Sequence, residues 1–383
     1  MHDYALQLYS HTVTTTVGEE RAPATERDRR PANGQRVRVG IIGATGYVGA
    51  ELIRILSRHP DVEIVGLQGR DRDAEPVGET HPHLAGTDLT VDRTLPPADA
   101  VFLALPHGTA AELVPEILEA GTAIIDLGPD FRLRDAADYP RWYDFEHPRP
   151  ALLSDAIYGL PELHRAELQA LRHADQAIVG CPGCYPTATI LALAPLARAG
   201  LIGDLVVDAK SGVSGAGRDP KPDMMFGEVN ESVKAYGIGG HRHVAEIEQE
   251  LAGITTAAGT TNAGIAGVDF LPHLIPMTRG ILSAGHVRPT RPTSQAELDE
   301  LYANAYAGEP FVTVTTAAPA TKHVLGSNYV GVSVHHDPRT GRILAIGVID
   351  NLVKGAAGQA VQAFNLVHGL SESAGLEQLP LAP

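Results

Sequence analysis

The amino-acid sequence predicts an α/β protein in two parts: a mostly parallel sheet covered by helices on both faces, then an α+β region on a mixed or antiparallel sheet. Three observations carry that prediction. Residues 36–42 read as a buried strand that runs straight into Gly43-Ala44-Thr45-Gly46-Tyr47-Val48-Gly49 and then into the helix-forming residues 50–56. Strand and helix patterns alternate from there to residue 126, as in a parallel sheet. After Thr187 the pattern changes to longer extended runs.

Ahead of the first strand, residues 1–35 join a threonine-rich start to an Arg- and Glu-rich stretch, without the charged start and apolar middle of a signal peptide. They read as a flexible extension with no catalytic part, and the folded unit is expected from Arg36. In the glycine turn, the glycines suit a tight bend, close approach of backbone to a pyrophosphate, and close packing of helix on strand; the helix start offers amides to the phosphates. Gly43, Thr45, Gly46, Tyr47, Val48 and Gly49 are therefore expected to bind a nucleotide. The second strand, 62–67, ends in Gln68-Gly69-Arg70-Asp71-Arg72, where an NAD site carries an acidic residue for the ribose hydroxyls. Arg70 and Arg72 suit a 2′-phosphate, which favours NADP; the plainer alternative is a pair of solvated arginines.

Further strands are read at 100–105 and 122–126, with a helix at 109–120 between them. Ligands of such sheets gather beyond the C-terminal strand ends, where Pro106-His107-Gly108, Gly128-Pro129-Asp130-Phe131-Arg132 and a cysteine turn all fall. That turn is Val179-Gly180-Cys181-Pro182-Gly183-Cys184-Tyr185-Pro186-Thr187, and it holds both cysteines of the chain. A thiol at the junction of strand and helix is placed to react, because helix amides and a nearby His or Arg favour the thiolate.

The second half is read as strands at 205–209, 268–271, 281–284, 329–334 and 343–348, with helices at 243–251 and 294–307. The final helix, 354–368, opens on small residues that permit close backbone approach. Residues 36–183 with 351–383 are expected to form the nucleotide domain, and 184–350 the substrate and oligomerisation domain. Two loops here suit chemistry. Residues 210–218 are rich in glycine and hydroxyls between cations, and Gly239-Gly240-His241-Arg242-His243 offers a proton donor for a thiolate. With both cysteines together and no carboxylate at ligand spacing, no metal site is expected.

Composition narrows the function. The 383 residues, 44% hydrophobic and 20% charged, suit two soluble domains, and a net charge of −16 argues against a nucleic-acid partner. No apolar run approaches the roughly 20 residues that span a bilayer. Two cysteines at C-x-x-C spacing make no disulfide framework, so the cytoplasm is the expected compartment.

Taken in order, residues 43–52, His81-Pro82-His83-Leu84, Asp130-Phe131-Arg132-Leu133, Tyr158-Gly159-Leu160-Pro161-Glu162, residues 182–187, residues 211–218 and His241-Arg242-His243 resemble the N-acetyl-gamma-glutamyl-phosphate reductases. That family shares its architecture with aspartate-semialdehyde dehydrogenases. The resemblance implies a Rossmann NADP-binding domain, an α+β substrate domain that makes homo-oligomer contacts (dimer or tetramer), and the NADPH-dependent reduction of a small-molecule acyl phosphate in arginine biosynthesis. It implies Cys184 as nucleophile, a histidine as acid–base, Arg132 on the substrate phosphate and Arg242 on its carboxylate. Pro106, His107, Ser214, Gly215 and Ala216 are then expected near the cofactor, with Asn351 on the nicotinamide amide. His243 is preferred to His241 because it lies closer to a helix start. The chain departs from the family pattern at Cys181, Gly128-Pro129 and Ala245. Cys181 could close on Cys184 as a redox switch. Rival readings are a reductase of aspartyl or carrier-bound aminoadipyl phosphate, and a non-catalytic NADP sensor.

Overall fold

A computed structural model describes residues 28–32, 34–70, 72–260, 265 and 267–381. Residues 1–27 of the expected extension, and Asp71, lie outside the described residues. The described chain forms two compact units, one from Met1–Pro182 with Ala356–Glu377 and one from Gly183–Gly355 with Gln378–Pro383.

The first unit is built on β1 (Val37–Ile42), β2 (Val62–Gln68), β3 (Glu75–Pro76), β4 (Thr90–Asp92), β5 (Ala100–Leu103), β6 (Ala123–Asp126), β7 (Ala156–Tyr158) and β8 (Ile178–Gly180). Their order is β3-β4-β2-β1-β5-β6-β8-β7. Every neighbouring pair is parallel except β3 with β4. The central strands β5, β6 and β8 are buried along their whole length, as a sheet covered on both faces requires. The main helices within this stretch are α1 (Tyr47–Leu56), α2 (Ala110–Glu119) and α3 (Pro161–Ala170).

The C-terminal helix, Gly358–Val367, is buried at every residue and packs on α1, α3 and β6. Asn365 and Gln362 carry paired polar side chains within it, as burial demands. Asn365 Oδ1 accepts from His59 Nε2 at 2.9 Å, its Nδ2 donates to the Ala374 carbonyl, and Gln362 donates to Glu372. Upstream of β1, Arg29 Nε donates to the Leu171 carbonyl, and its own carbonyl accepts from His368 Nδ1 at 2.8 Å. The packed part of this unit thus includes residues ahead of Arg36, whose polar composition gave no sign of docking.

The second unit has a mixed sheet. Its strands are β9 (Ile202–Ser211), β10 (Lys234–Ala235), β11 (Asp269–Leu274), β12 (Ile281–Pro289), β13 (Val312–Val314), β14 (Val330–Asp337) and β15 (Arg342–Ile349), in the order β10-β11-β9-β12-β15-β14-β13. Only β11 with β9 and β13 with β14 are parallel pairs among these described neighbours. The helix α4 (Cys184–Arg198) is buried from Tyr185 to Ala197 and lies across β12, β15 and β14, packed by α5 (His243–Ala257) and α6 (Gln295–Ala305).

Two strand glycines let α4 sit close. A β-carbon on Gly347 would fall 2.4 Å from the Ala188 carbonyl oxygen, and one on Gly285 would fall 2.9 Å from Leu193 Cδ2. Inside α4, Pro195 has no N–H for the Leu191 carbonyl one turn back. The Tyr306 hydroxyl donates to that carbonyl instead, while Tyr302 donates to Ala192 at 2.5 Å. The helix therefore keeps its path despite the proline.

Candidate active site

In the first unit, α1 begins at Tyr47, with Gly46 as N-cap, three residues earlier than its side chains suggest. The first-turn amides of Tyr47, Val48 and Gly49 therefore belong to the helix start, where no carbonyl lies one turn back. Gly43 has φ +88°, and a β-carbon there would fall 2.2 Å from the Ala104 carbonyl oxygen; one on Gly49 would meet the Gly43 carbonyl oxygen at 2.5 Å. A β-carbon on Gly46 would meet nothing nearer than 3.6 Å. The outer glycines thus serve the turn and the packing, and the middle one leaves backbone open, a cradle that fits a pyrophosphate. His81, quoted in the sequence without a role, fixes this turn from below. Its buried Nε2 donates to the Ala44 carbonyl at 3.0 Å.

Arg70 is exposed just beyond β2, whereas both Glu75 carboxylate oxygens accept from Arg72 Nη1, the nearer at 2.5 Å. Pro106 and His107 are exposed beyond β5. Their loop is held by Asp130, which accepts from Gly108 N–H at 2.8 Å and Ala111 N–H at 3.0 Å. That second bond caps the start of α2 from a distant loop.

Arg132 is 9% exposed and braces the ends of two strands. Its Nε donates to the Cys181 carbonyl at 2.7 Å and its Nη2 to the Leu127 carbonyl at 2.8 Å. Asp126, fully buried beside them, accepts from Gly128 N–H, and burial followed by the neighbouring Asp130 raises its carboxyl above the usual range. Burial, then Asp126, also pushes the Cys181 thiol well above its ordinary value. A thiol so held supplies no thiolate at neutral pH, which argues against the redox pairing that the C-x-x-C spacing suggests.

In the second unit, Cys184 is the first residue of α4 and Gly183 is its N-cap. The thiol is partly exposed and sits at the positive end of the helix dipole. The His243 ring lies against Gly183: a β-carbon there would fall 2.5 Å from Nε2. On the other side, a β-carbon on Gly355 would fall 2.8 Å from Cys184 Cβ. Gly355 belongs to a π-turn, Val353–Ala357, and its N–H donates to the Asp350 carbonyl five residues back. Such turns often mark functional sites. Nothing in a string of small residues announces a π-turn.

His241 is packed among Tyr185, Tyr236, Phe270 and His243. Its Nδ1 accepts from the His243 backbone N–H at 3.2 Å. Burial, then Arg242, lowers its imidazole to about 4. It is therefore neutral at pH 7, and it shapes the start of α5. Arg242 is exposed. The Glu246 carboxyl, fully buried, accepts from Gly183 N–H at 2.9 Å; sequence reading passed over it as one more acidic residue of a helix.

Ser214, in the short turn Val213–Ala216 with Gly215 and Ala216, is buried, and its Oγ accepts from Asn351 Nδ2 at 2.9 Å. Asn351 Oδ1 accepts from Gly280 N–H at 2.7 Å. The amide thus joins this loop to the start of β12. Among the described residues, no three His, Cys, Asp or Glu side chains cluster as a metal site requires, and no helix is long and apolar enough to cross a membrane.

Residues 38–171 match the family model described as semialdehyde dehydrogenase, NAD binding domain. Residues 184–351 match semialdehyde dehydrogenase, dimerisation domain. A relative from Heliobacterium modesticaldum is 47% identical over 360 residues, covering 91% of this chain and 100% of the relative. One from Desulforudis audaxviator is 49% identical over 350 residues, covering 89% and 98%. Both carry the name N-acetyl-gamma-glutamyl-phosphate reductase. Among solved structures, aspartate semialdehyde dehydrogenase II from Vibrio cholerae is similar with TM-score 0.64 at 19% identity, covering 87% of this chain and 98% of that one. The Candida albicans enzyme, solved with NADP, is similar with TM-score 0.64 at 18% identity, covering 89% and 99%. At those identities the likeness is one of fold.

Proposed function

Because the chain belongs to the N-acetyl-gamma-glutamyl-phosphate reductase family, we propose that it reduces N-acetyl-γ-glutamyl phosphate to N-acetyl-L-glutamate 5-semialdehyde and phosphate with NADPH, in arginine biosynthesis. The observation that carries this reading is Cys184 as first residue of a buried helix, with the His243 ring against the preceding glycine.

The Cys184 thiolate attacks the acyl carbon. A carbon–sulfur bond forms, the carbon–oxygen bond to phosphate breaks, and His243 gives a proton to the departing phosphate. The nucleotide, when bound, supplies the hydride that takes the resulting thioester to the aldehyde level. Collapse of the tetrahedral oxyanion on Cys184 then breaks the carbon–sulfur bond, re-forms the carbonyl and returns the thiolate. His243 is assigned the proton because His241, neutral with its Nδ1 already accepting, serves to hold it. Arg132 offers its charge to the phosphate while its backbone bonds keep the loops in place, and Arg242 meets the substrate carboxylate. With the nucleotide bound, the amides of residues 46–49 would hold the pyrophosphate, Pro106 and His107 would flank it, and Ser214, Gly215, Ala216 and Asn351 would serve the nicotinamide.

NADP is preferred over NAD on the side chains beyond β2. Gln68 stands where an acidic ribose ligand would be, and Arg70 and Arg72 suit a 2′-phosphate, with Arg72 paired to Glu75. The dimerisation-domain match supports a homo-oligomer. Such a biosynthetic enzyme works in the cytoplasm.

The deciding assay is phosphate-dependent reduction of NADP⁺ by N-acetylglutamate semialdehyde, with aspartate semialdehyde as control. Equal or better turnover of the control overturns the substrate. Cys184→Ser is expected to bind NADPH and lose essentially all turnover; retained turnover overturns the thioester route.

A further inference from the structure

Resting on the function proposed above, we infer that Glu246 is a positioning residue that locks the nucleophile's turn and the acid–base histidine into one assembly. Glu246 lies in the first turn of α5, three residues after His243, and is fully buried. A carboxyl without solvent contact needs bonds to offset its lost hydration. Its Oε2 accepts from Gly183 N–H at 2.9 Å, the amide immediately before Cys184.

The same helix supplies the ring that lies on the same glycine. Gly183 is held through its N–H by Glu246 and pressed at its α-carbon by His243. Residues three apart share a helix face, so one rigid turn of α5 carries both contacts. The neighbouring acids of α5 serve other partners: Glu248 accepts from Val268 N–H and Glu250 from the Gln249 side chain. Glu246 is assigned to act through the Gly183 amide.

The test is the rate at which iodoacetamide alkylates Cys184 in the full-length enzyme, read by mass across pH, beside kcat and KM. Cys181 is buried, so labelling reports Cys184. Glu246→Ala is expected to slow alkylation and turnover by about tenfold or more while KM for NADPH stays unchanged, on the scale of misplacing a reacting group by a fraction of an ångström. Glu246→Gln keeps a carbonyl acceptor for Gly183 and is expected to recover alkylation and kcat to within about threefold of wild type. Wild-type alkylation in Glu246→Ala overturns the role, as does a Gln variant as impaired as the Ala one. Should the alanine variant fail to fold, Glu246→Asp decides: one methylene too short, it should reproduce the loss, and wild-type rates overturn the role. Alkylation needs no substrate, so a wrong substrate assignment leaves this result standing.

Discussion

Replacing Gly183 by alanine tests the active-site geometry at its tightest point. The backbone there has φ −65° and ψ 156°, which alanine adopts without strain, so any effect comes from the added carbon alone. That carbon would lie 2.5, 2.8 and 2.9 Å from Nε2, Cδ2 and Cε1 of His243. Ordinary contacts of this kind are about 3.5 Å or more, so the imidazole must retreat by roughly 1 Å. A displacement of that size at a catalytic group costs on the order of 10²-fold, or about 3 kcal/mol of barrier. The measurement is kcat with N-acetylglutamate semialdehyde, alongside NADPH binding by fluorescence and a thermal melt. A fall in kcat with cofactor binding and melting temperature preserved is expected. A kcat within threefold of wild type would refute the reasoning, because the ring would then have room that the distances deny it.

Three further outcomes follow from other features. Tyr306→Phe leaves the Leu191 carbonyl without a donor, since Pro195 has none to give, and should cost about 1 to 3 kcal/mol in urea unfolding; an unchanged midpoint would show that the bond carries no weight. His241 takes a proton only as pH falls towards about 4, so His241→Asn should leave the pH dependence of kcat/KM above about pH 5 in place. His243→Asn should lower the rate by about 10² to 10⁴. The opposite pattern would exchange the two histidines' roles.

The strand, turn and helix at the glycine turn were legible because their signals are local: a buried strand, three glycines and an apolar helix in succession. The start of α1 was not, since glycine caps it and leaves no side-chain mark. Strands of two or three residues, such as Glu75–Pro76, Ala156–Tyr158 and Lys234–Ala235, are too short to show a period of two. In the site, Cys184 was visible from its place between strand and helix. Cys181 looked alike in sequence, yet burial pushes its thiol up and away from the thiolate form. Glu246 was hidden among Glu248, Gln249 and Glu250, because only packing distinguishes a buried acid from its solvated neighbours. The bracing by Arg132 and the pairing of Arg72 with Glu75 are likewise contacts that spacing alone does not disclose.

The two strand glycines beneath α4 carry a lesson for changing what this enzyme accepts. With Gly347 under the Ala188 carbonyl and Gly285 under Leu193, the helix has no slack toward the sheet, and any larger residue would lift the nucleophile with it. A new substrate range cannot be reached by re-seating Cys184. Selection, natural or in the laboratory, must leave the bed of the helix alone.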